Sequence, residues 1–422
     1  MKTTMIRFWT CTLLIAVFTA CGGKDDPPNP ENGNENGNEN GGENGGENGG
    51  ENGGENGDPS IGTSANPFKV ATIADLRRVA SGEEEQGGIW SEDKYYLQTA
   101  DIDLSAVENW KPICGKSVAK SFSGTYDGGG NTISHIKITN LENGYDAIGL
   151  FGYNNGTIKN VRMINGGMTV LNGEAHAFGG IVGMMESGTI DHCFVSDIEM
   201  IVLVSSFGIG GVVGSVSRSG IVSNCIVTNT TISTTALCGG IAGDISDGGI
   251  IENCFSTANV MGKNAGGIVG TISEDGIVRY CYATGNINAS TGWAGGIAGY
   301  NMASTIQNCV ALNPKVQSNP HVGRIVGEKF MSALGKESMM FNNYARHDMI
   351  LISNYQNFPV NDISLTNIHG DNVTEDNYEG ENSETWWSNT AGFPEEAWDF
   401  APNRLPHLKG FDKLTQNPTV TP

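Results

Sequence analysis

The sequence predicts an all-β chain wound as a right-handed parallel β-helix (solenoid) of about six to seven coils, and three observations carry that prediction. First, the phrase Gly266-Gly267-Ile268-Val269-Gly270 recurs. It stands upstream as Gly179-Gly180-Ile181-Val182-Gly183, Gly210-Gly211-Val212-Val213-Gly214 and Gly239-Gly240-Ile241-Ala242-Gly243, and downstream as Gly295-Gly296-Ile297-Ala298-Gly299. Second, a cysteine follows each copy. Cys193, Cys225, Cys254, Cys281 and Cys309 lie 32, 29, 27 and 28 residues apart, and a fixed period of that size signals a solenoid. Third, segments such as Thr189-Ile190-Asp191, Ile251-Glu252-Asn253 and Thr305-Ile306-Gln307 alternate with period two, and no run reaches the length of a helix. Strands returning at the same phase of every coil make parallel sheets, whose crossovers are right-handed in nearly all cases.

Composition agrees. The chain has 422 residues, 60 glycines, 17% charged residues and a formal net charge of −22. That acidity excludes nucleic acid and electrostatic docking on anionic lipid, both of which need basic patches. The nine cysteines form no CxxC pair, and five share one phase of the repeat. They read as small residues filling an interior ladder, with no metal or redox role.

Residues 1–20 carry Lys2 and Arg7, then the apolar run Leu13-Leu14-Ile15-Ala16-Val17-Phe18, which is the pattern of a secretory signal. Phe18-Thr19-Ala20-Cys21 resembles the lipobox of bacterial lipoproteins. That resemblance implies acylation of Cys21 with fatty-acid chains such as palmitate, and Gly22-Gly23-Lys24-Asp25-Asp26 resembles an export tag to the outer face of the outer membrane. Residues 21–60 continue as Glu-Asn-Gly units with net charge −9, which leaves −15 for residues 61–422 once the two basic residues of 1–20 are set against the −22 of the whole. Nothing in this stretch can build a core. It is a tether with a random-coil reach of roughly 30 Å.

Residues 61–145 read as a small α+β N-terminal cap. Thr72 and Asp75 frame a capping box for a short helix, and Tyr95–Gln98, Ala100–Leu104 and Thr132–Ile138 read as strands. Such a cap covers the first open rung. Residues 146–345 hold the repeats, with decayed copies at Gly149-Leu150-Phe151-Gly152 and Gly323-Arg324-Ile325-Val326-Gly327. The Gly-Gly pair marks a corner where backbones approach or φ turns positive, and the Asn before Cys (Asn224, Asn253, Asn308) reads as an amide ladder at another corner. Residues 346–422 end in Trp386-Trp387, Phe393, Trp398-Asp399-Phe400 and Leu405, an irregular aromatic cap for the far end of the stack.

Asn66-Pro67-Phe68, Ala100-Asp101-Ile102-Asp103-Leu104, Phe122-Ser123-Gly124-Thr125-Tyr126-Asp127-Gly128 and the Gly-Gly-Ile-Val-Gly copies resemble the GLUG-motif family of bacterial surface proteins, over roughly residues 62 to 345. The resemblance implies an adhesin-like surface lipoprotein. The family also supplies an accessory region in some immunoglobulin A peptidases.

No catalytic motif is present. HExxH and GxSxG are absent, and the seven histidines have no ligand spacing, so no catalytic residue, metal or cofactor is expected. An enzyme of the β-helix lyase or glycosidase type would need carboxylates converging on one face, and Asp191, Asp244, Asp247, Glu252, Glu274, Asp275 and Arg279 are scattered over different coils. Asp127 and the Asp101/Asp103 pair lack the spacing of a calcium loop. For binding, Trp293 replaces the polar residues that precede the Gly pair elsewhere and is the aromatic to stack on a sugar, followed by Tyr280 and Tyr282. The expected function is therefore non-catalytic adhesion or glycan or protein recognition, by a monomer anchored in the outer membrane through Cys21 and facing the exterior. The rival is a carbohydrate-active β-helix enzyme. The expected partners are the membrane and a host glycan, polysaccharide or surface protein.

Overall fold

The computed structural model describes residues 61–420 apart from 142, 143, 361, 412, 413 and 417; the expected signal, Cys21 and the tether lie outside the described residues. Each coil crosses four parallel sheets in turn. In one coil these are Thr157–Lys159 in sheet I, Arg162–Val170 in sheet II, Ala177–Gly179 in sheet III and Val182–Met185 in sheet IV. Sheet I stacks ten strands, from Phe68–Val70 to Met339–Phe341, while sheets III and IV hold seven each. The solenoid thus has about ten coils, more than the six to seven expected. The difference arises because Phe68–Val70, Tyr95–Gln98 and Thr125–Asp127, placed in the cap by their lack of the glycine phrase, pair in register with the repeats.

The interior is a set of same-phase ladders. Ile158, Ile190, Val222, Ile251, Val278, Ile306 and Met340 follow one another in register along sheet I, all buried. The early coils, which lack the narrow glycine corner, fill their wider interior with rings: Phe68 against Trp90 at 4.7 Å, Phe122 against Phe151 at 5.1 Å, and Tyr126 edge-on to Phe151 at 5.3 Å. The first strand's outer edge is sealed by the Gln86 side chain, whose amide accepts from Lys69 N–H (3.3 Å) and donates to Lys69 C=O (3.0 Å). Helix α1 (Ile73–Arg78), with its Thr72/Asp75 capping box, buries Leu76 against this end.

The five cysteines form the expected interior column, fully buried and unpaired. Each thiol faces the carbonyl two residues back, as in Cys225 Sγ to Ser223 O at 3.1 Å and Cys281 Sγ to Arg279 O at 3.2 Å. Desolvation pushes the thiols of Cys193, Cys254 and Cys309 well above their usual range. The preceding residue always turns left-handed: Asn160, His192, Asn224, Asn253, Tyr280, Asn308 and Asn342 have φ between 48° and 56°. Asparagine is preferred there because it tolerates that conformation. No amide ladder forms among these residues; Asn160 and Asn224 instead donate to Asp127 (2.9 Å) and Asp191 (2.8 Å) of the coil before.

The other corner depends on glycine through close approach. A Cβ on Gly267 would collide with Gly296 O, and one on Gly270 would sit 2.6 Å from Gly243 O; neither residue has positive φ. The left-handed turns fall at the cysteine corner.

The C-terminal segment is irregular and aromatic as expected, but most of it covers the side of the stack. Sheet II presents an outward ladder of Phe194, Ile226, Phe255, Tyr282, Val310 and Tyr344, which cannot face water. After Ile368 and Asp371–Val373 cross part of the open end, the chain turns back along this ladder as a strap. The corner residues meet it in strict reverse order. Asn342 and Asn308 donate to Thr390 O (3.0 Å) and Ala391 O (2.8 Å), Tyr280 packs edge-on to Phe393, Asn253 accepts from Trp398 Nε1 (3.2 Å), and His192 lies 5.8 Å from the Phe411 ring. At the end of the glycine ladder Arg324 takes the place of the second glycine. It is 1% exposed, and its guanidinium donates to His369 O, Gly370 O and Asn372 Oδ1 of the crossing segment.

Candidate recognition site

The glycine corner bends the chain so that sheets III and IV fold toward each other on the outside, leaving a crease that runs along the solenoid. Residues seven apart face each other across it: Asn264 Nδ2 donates to Thr271 Oγ1 (3.3 Å), the Trp293 and Tyr300 rings lie 5.0 Å apart, and His321 Nδ1 stands 3.5 Å from Glu328. Backbone register stacks Trp293 on His321, and Thr271, Tyr300 and Glu328 on one another. One coil earlier Leu237 and Asp244 hold the same two ladder positions, and desolvation, with the charges of Asp247 and Glu274, pushes the Asp244 carboxyl up to about 7.

In the last coils the crease becomes aromatic. Trp293 stacks on His321 (5.8 Å, 29°) and meets Phe330 edge-on (6.0 Å, 81°), while Tyr300 stacks on Phe330 at 5.0 Å. Trp293 and Tyr300 are half-buried, and His321 and Phe330 are exposed. The Trp293 indole N–H is buried without a hydrogen-bond partner. A ring cluster of this kind offers an apolar platform with a polar rim of His321 and Glu328, suited to a flat partly apolar ligand.

Of the residues singled out from the sequence, Trp293 is thus placed on the surface among rings. Tyr280 is half-buried beneath the strap, in the left-handed corner position, with Arg279 at 5.8 Å over its ring. Tyr282 has to be corrected: it is fully buried, stacked on Phe255 at 4.8 Å, and its hydroxyl donates to Pro406 O at 2.9 Å, so it holds the strap and faces no ligand. Tyr300, His321 and Phe330 escaped sequence reasoning. The signal for Tyr300 lay in its seven-residue offset from Trp293, the same that joins Asn264 to Thr271.

Four of the acidic groups serve coil-to-coil pairing, whereas Asp244, Asp247 and Glu274 lie near one another as like charges. Glu252 Oε2 binds Arg279 Nε at 2.7 Å, Lys159 binds Asp127 at 3.3 Å, and Asp275 pairs with Lys336. Asp191 accepts from Ser223 Oγ (2.7 Å) and Asn224, and pairs with His192 Nδ1 (2.6 Å). Burial works against the Asp191 charge, but those hydrogen bonds hold its carboxyl below the usual range, and the bond to Asp191 raises His192. A cavity of about 540 Å³ lies elsewhere, beside α1 and residues 107–114. Its Trp110 N–H is spent on Leu150 O (3.1 Å), and burial pushes the Cys114 thiol up to about 12.

Comparison with known proteins agrees with the repeat. Residues 261–288 match the GLUG motif, one repeat unit around Gly266–Gly270. A stretch of 174 residues is 30% identical to halomucin of Haloquadratum walsbyi (strain DSM 16790 / HBSQ001); it covers 38% of this chain and 2% of halomucin, so the chain spans a small fraction of that relative. Among solved structures, a "putative immunoglobulin A1 protease" from Bacteroides ovatus superposes with a TM-score of 0.53 at 20% identity, over 82% of this chain and 94% of that one. An IgA1 protease aligns over 83% of this chain and 26% of its own, with a TM-score of 0.47 at 12% identity. The former likeness is one of fold. The chain carries the GLUG motif on a parallel β-solenoid.

Proposed function

We propose that this GLUG-motif solenoid is a surface-displayed, non-catalytic recognition protein that binds the apolar face of a glycan, or an exposed protein segment, through the crease at Trp293. The observation that carries the reading is the half-open cluster of Trp293, Tyr300, His321 and Phe330. A pyranose ring presents C–H groups to an aromatic face and hydroxyls to its rim, and His321 and Glu328 supply polar groups beside the rings. The lipobox-like Cys21 and the acidic tether support display at the outer membrane. Similarity to part of halomucin supports an exterior location. Engagement of Glu252 by Arg279, and of Asp191 by Ser223, Asn224 and His192, supports recognition over the rival carbohydrate-active enzyme.

Intact cells displaying the full chain, passed over immobilised host and plant polysaccharides, test display and binding together. Retention on at least one glycan that falls at least about tenfold in Trp293→Ala, a loss of about 1.4 kcal/mol, is the expected result. Equal retention of the variant would move the site away from the crease, and time-dependent depolymerisation of a bound polysaccharide would favour the enzyme.

A further inference from the structure

The two ends of the solenoid are finished differently. At the start, the edge of Phe68–Val70 is closed by the Gln86 amide, and Trp90 and α1 lie over the interior. At the far end, the crossing segment closes only the corner at Ile325 and the edge of sheet II, where Ile368 O accepts from Ile325 N (2.9 Å) and Asp371–Val373 pairs with Tyr344–Arg346. Sheet I ends on Met339–Phe341 and sheet IV on Val326–Phe330, and among the described residues no strand pairs with either outer edge. Because the aromatic C-terminal segment is used on the side of the stack, these edges are left without a strand partner, although the Val326 N–H is taken up by Ile368 O at 3.2 Å.

The side chains at this end match. Of sixteen large apolar residues that are strongly exposed among the described residues, nine lie between Phe330 and Ile363. Met339 and Phe341, 44% and 42% exposed, occupy positions filled one coil earlier by Thr305 and Gln307. A terminal coil that had only to end the stack would carry a polar outer face.

We propose that the end of sheets I and IV is a self-association face, on which a second copy of this chain docks tail to tail about a two-fold axis. Charge favours a like partner here: the chain carries −22 overall, yet residues 326–341 balance Lys329 and Lys336 against Glu328 and Glu337, so two copies approach without the repulsion their flanks impose. Geometry favours it too. Two identical sheet ends related by a two-fold bring edge strand to edge strand antiparallel, satisfying both rows of backbone groups with the same cross-section. The sealed first coil prevents head-to-tail growth, so assembly stops at two. This replaces the monomer expected from the sequence; the face shares Phe330 and Glu328 with the Trp293 cluster, while Trp293 itself lies one coil inward.

Sedimentation velocity of the purified full chain, over a wide concentration range, tests the proposal. The expected result is a reversible dimer whose dissociation constant rises at least about tenfold in the double variant Met339→Lys, Phe341→Lys. Circular dichroism and thermal melting should be unchanged, since both side chains are exposed, and Trp293→Ala should still dimerise. A wild-type chain that stays monomeric overturns the proposal, whether or not its end captures an extended peptide of another protein. So does a dimer that survives the double variant, or one abolished by Leu203→Lys on the distant exposed patch of sheet II.

Discussion

Trp398→Ala should release the strap while leaving the solenoid wound. The Trp398 indole is 1% exposed, packs between Phe393 (5.2 Å), Tyr282 (5.6 Å) and Phe255 (6.4 Å), and donates to Asn253 Oδ1. Truncating a buried Trp to Ala costs about 4 kcal/mol in lost burial and cavity, and the lost hydrogen bond adds about 1 kcal/mol. The other anchors (Trp387, Phe393, Leu405, Leu408 and Phe411) each contribute roughly 1.5–3 kcal/mol of burial, most of it offset by the entropy of ordering the strap. A loss of about 5 kcal/mol therefore falls on a local unit whose own margin is a fraction of the total. Hydrogen exchange should report it as a fall of at least about a thousandfold in protection across residues 390–411. Backbone amides of the inner ladder at Ile251, Val278 and Ile306 should keep their protection. Tyr282→Phe, which only strips the donor from Pro406 O, should cost about 1 kcal/mol and serves as the graded control. Unchanged exchange in the strap, or an equal fall in strap and inner ladder, would refute the view that the strap is a separately stabilised cover.

Gly267→Ala should destabilise the fold by about 3 kcal/mol, read as a lower midpoint in urea, because its Cβ meets the backbone of the next coil, which cannot yield as a side chain would; a neutral result would show the corner to be looser than the structure has it. The far end of the strap should loosen as pH rises. His192, in contact with Phe411, is raised by its bond to Asp191, so its contribution is fully present below pH 6.5 and is lost as pH climbs through the higher folded-state value. Proteolysis near residues 405–411 should accelerate on that alkaline limb, and His192→Gln should abolish the dependence.

The winding was legible because it is written in period: a glycine phrase, a cysteine and an alternating strand return together, and each return is one coil. The first three coils were illegible as coils because they hold their interior open with Phe68, Trp90, Tyr96, Phe122 and Tyr126 and need no glycine corner. Asparagine before cysteine was recognised as a corner, but its use was hidden. Side-chain amides at Asn308, Asn342 and Asn253 contact residues 391, 390 and 398, a separation along the chain that no local pattern encodes. Tyr282 was misplaced for the same reason: period two correctly sets it outward, and only the strap, arriving from residue 406, turns outward into buried.

The strap and the open end share one cause. A solenoid must hide two kinds of surface, the last rung's edge and any apolar ladder on its flank, and this chain has one aromatic tail for both. From Phe194 to Tyr344 the flank ladder runs six coils, with large side chains at Phe194, Phe255, Tyr282 and Tyr344. Burying it removes far more apolar area from water than covering two short edge strands would, and stabilisation grows with that area. The tail therefore goes to the side. Arg324 and residues 368–373 close only the corner they reach, and Met339–Phe341 is left as a free edge whose outward side chains are apolar. Were that end merely unfinished, Thr305 and Gln307 of the preceding coil show the polar residues that would have sufficed. Their replacement by Met339 and Phe341 puts apolar surface where the backbone is already unpaired, and those two features together are what a strand-pairing partner requires.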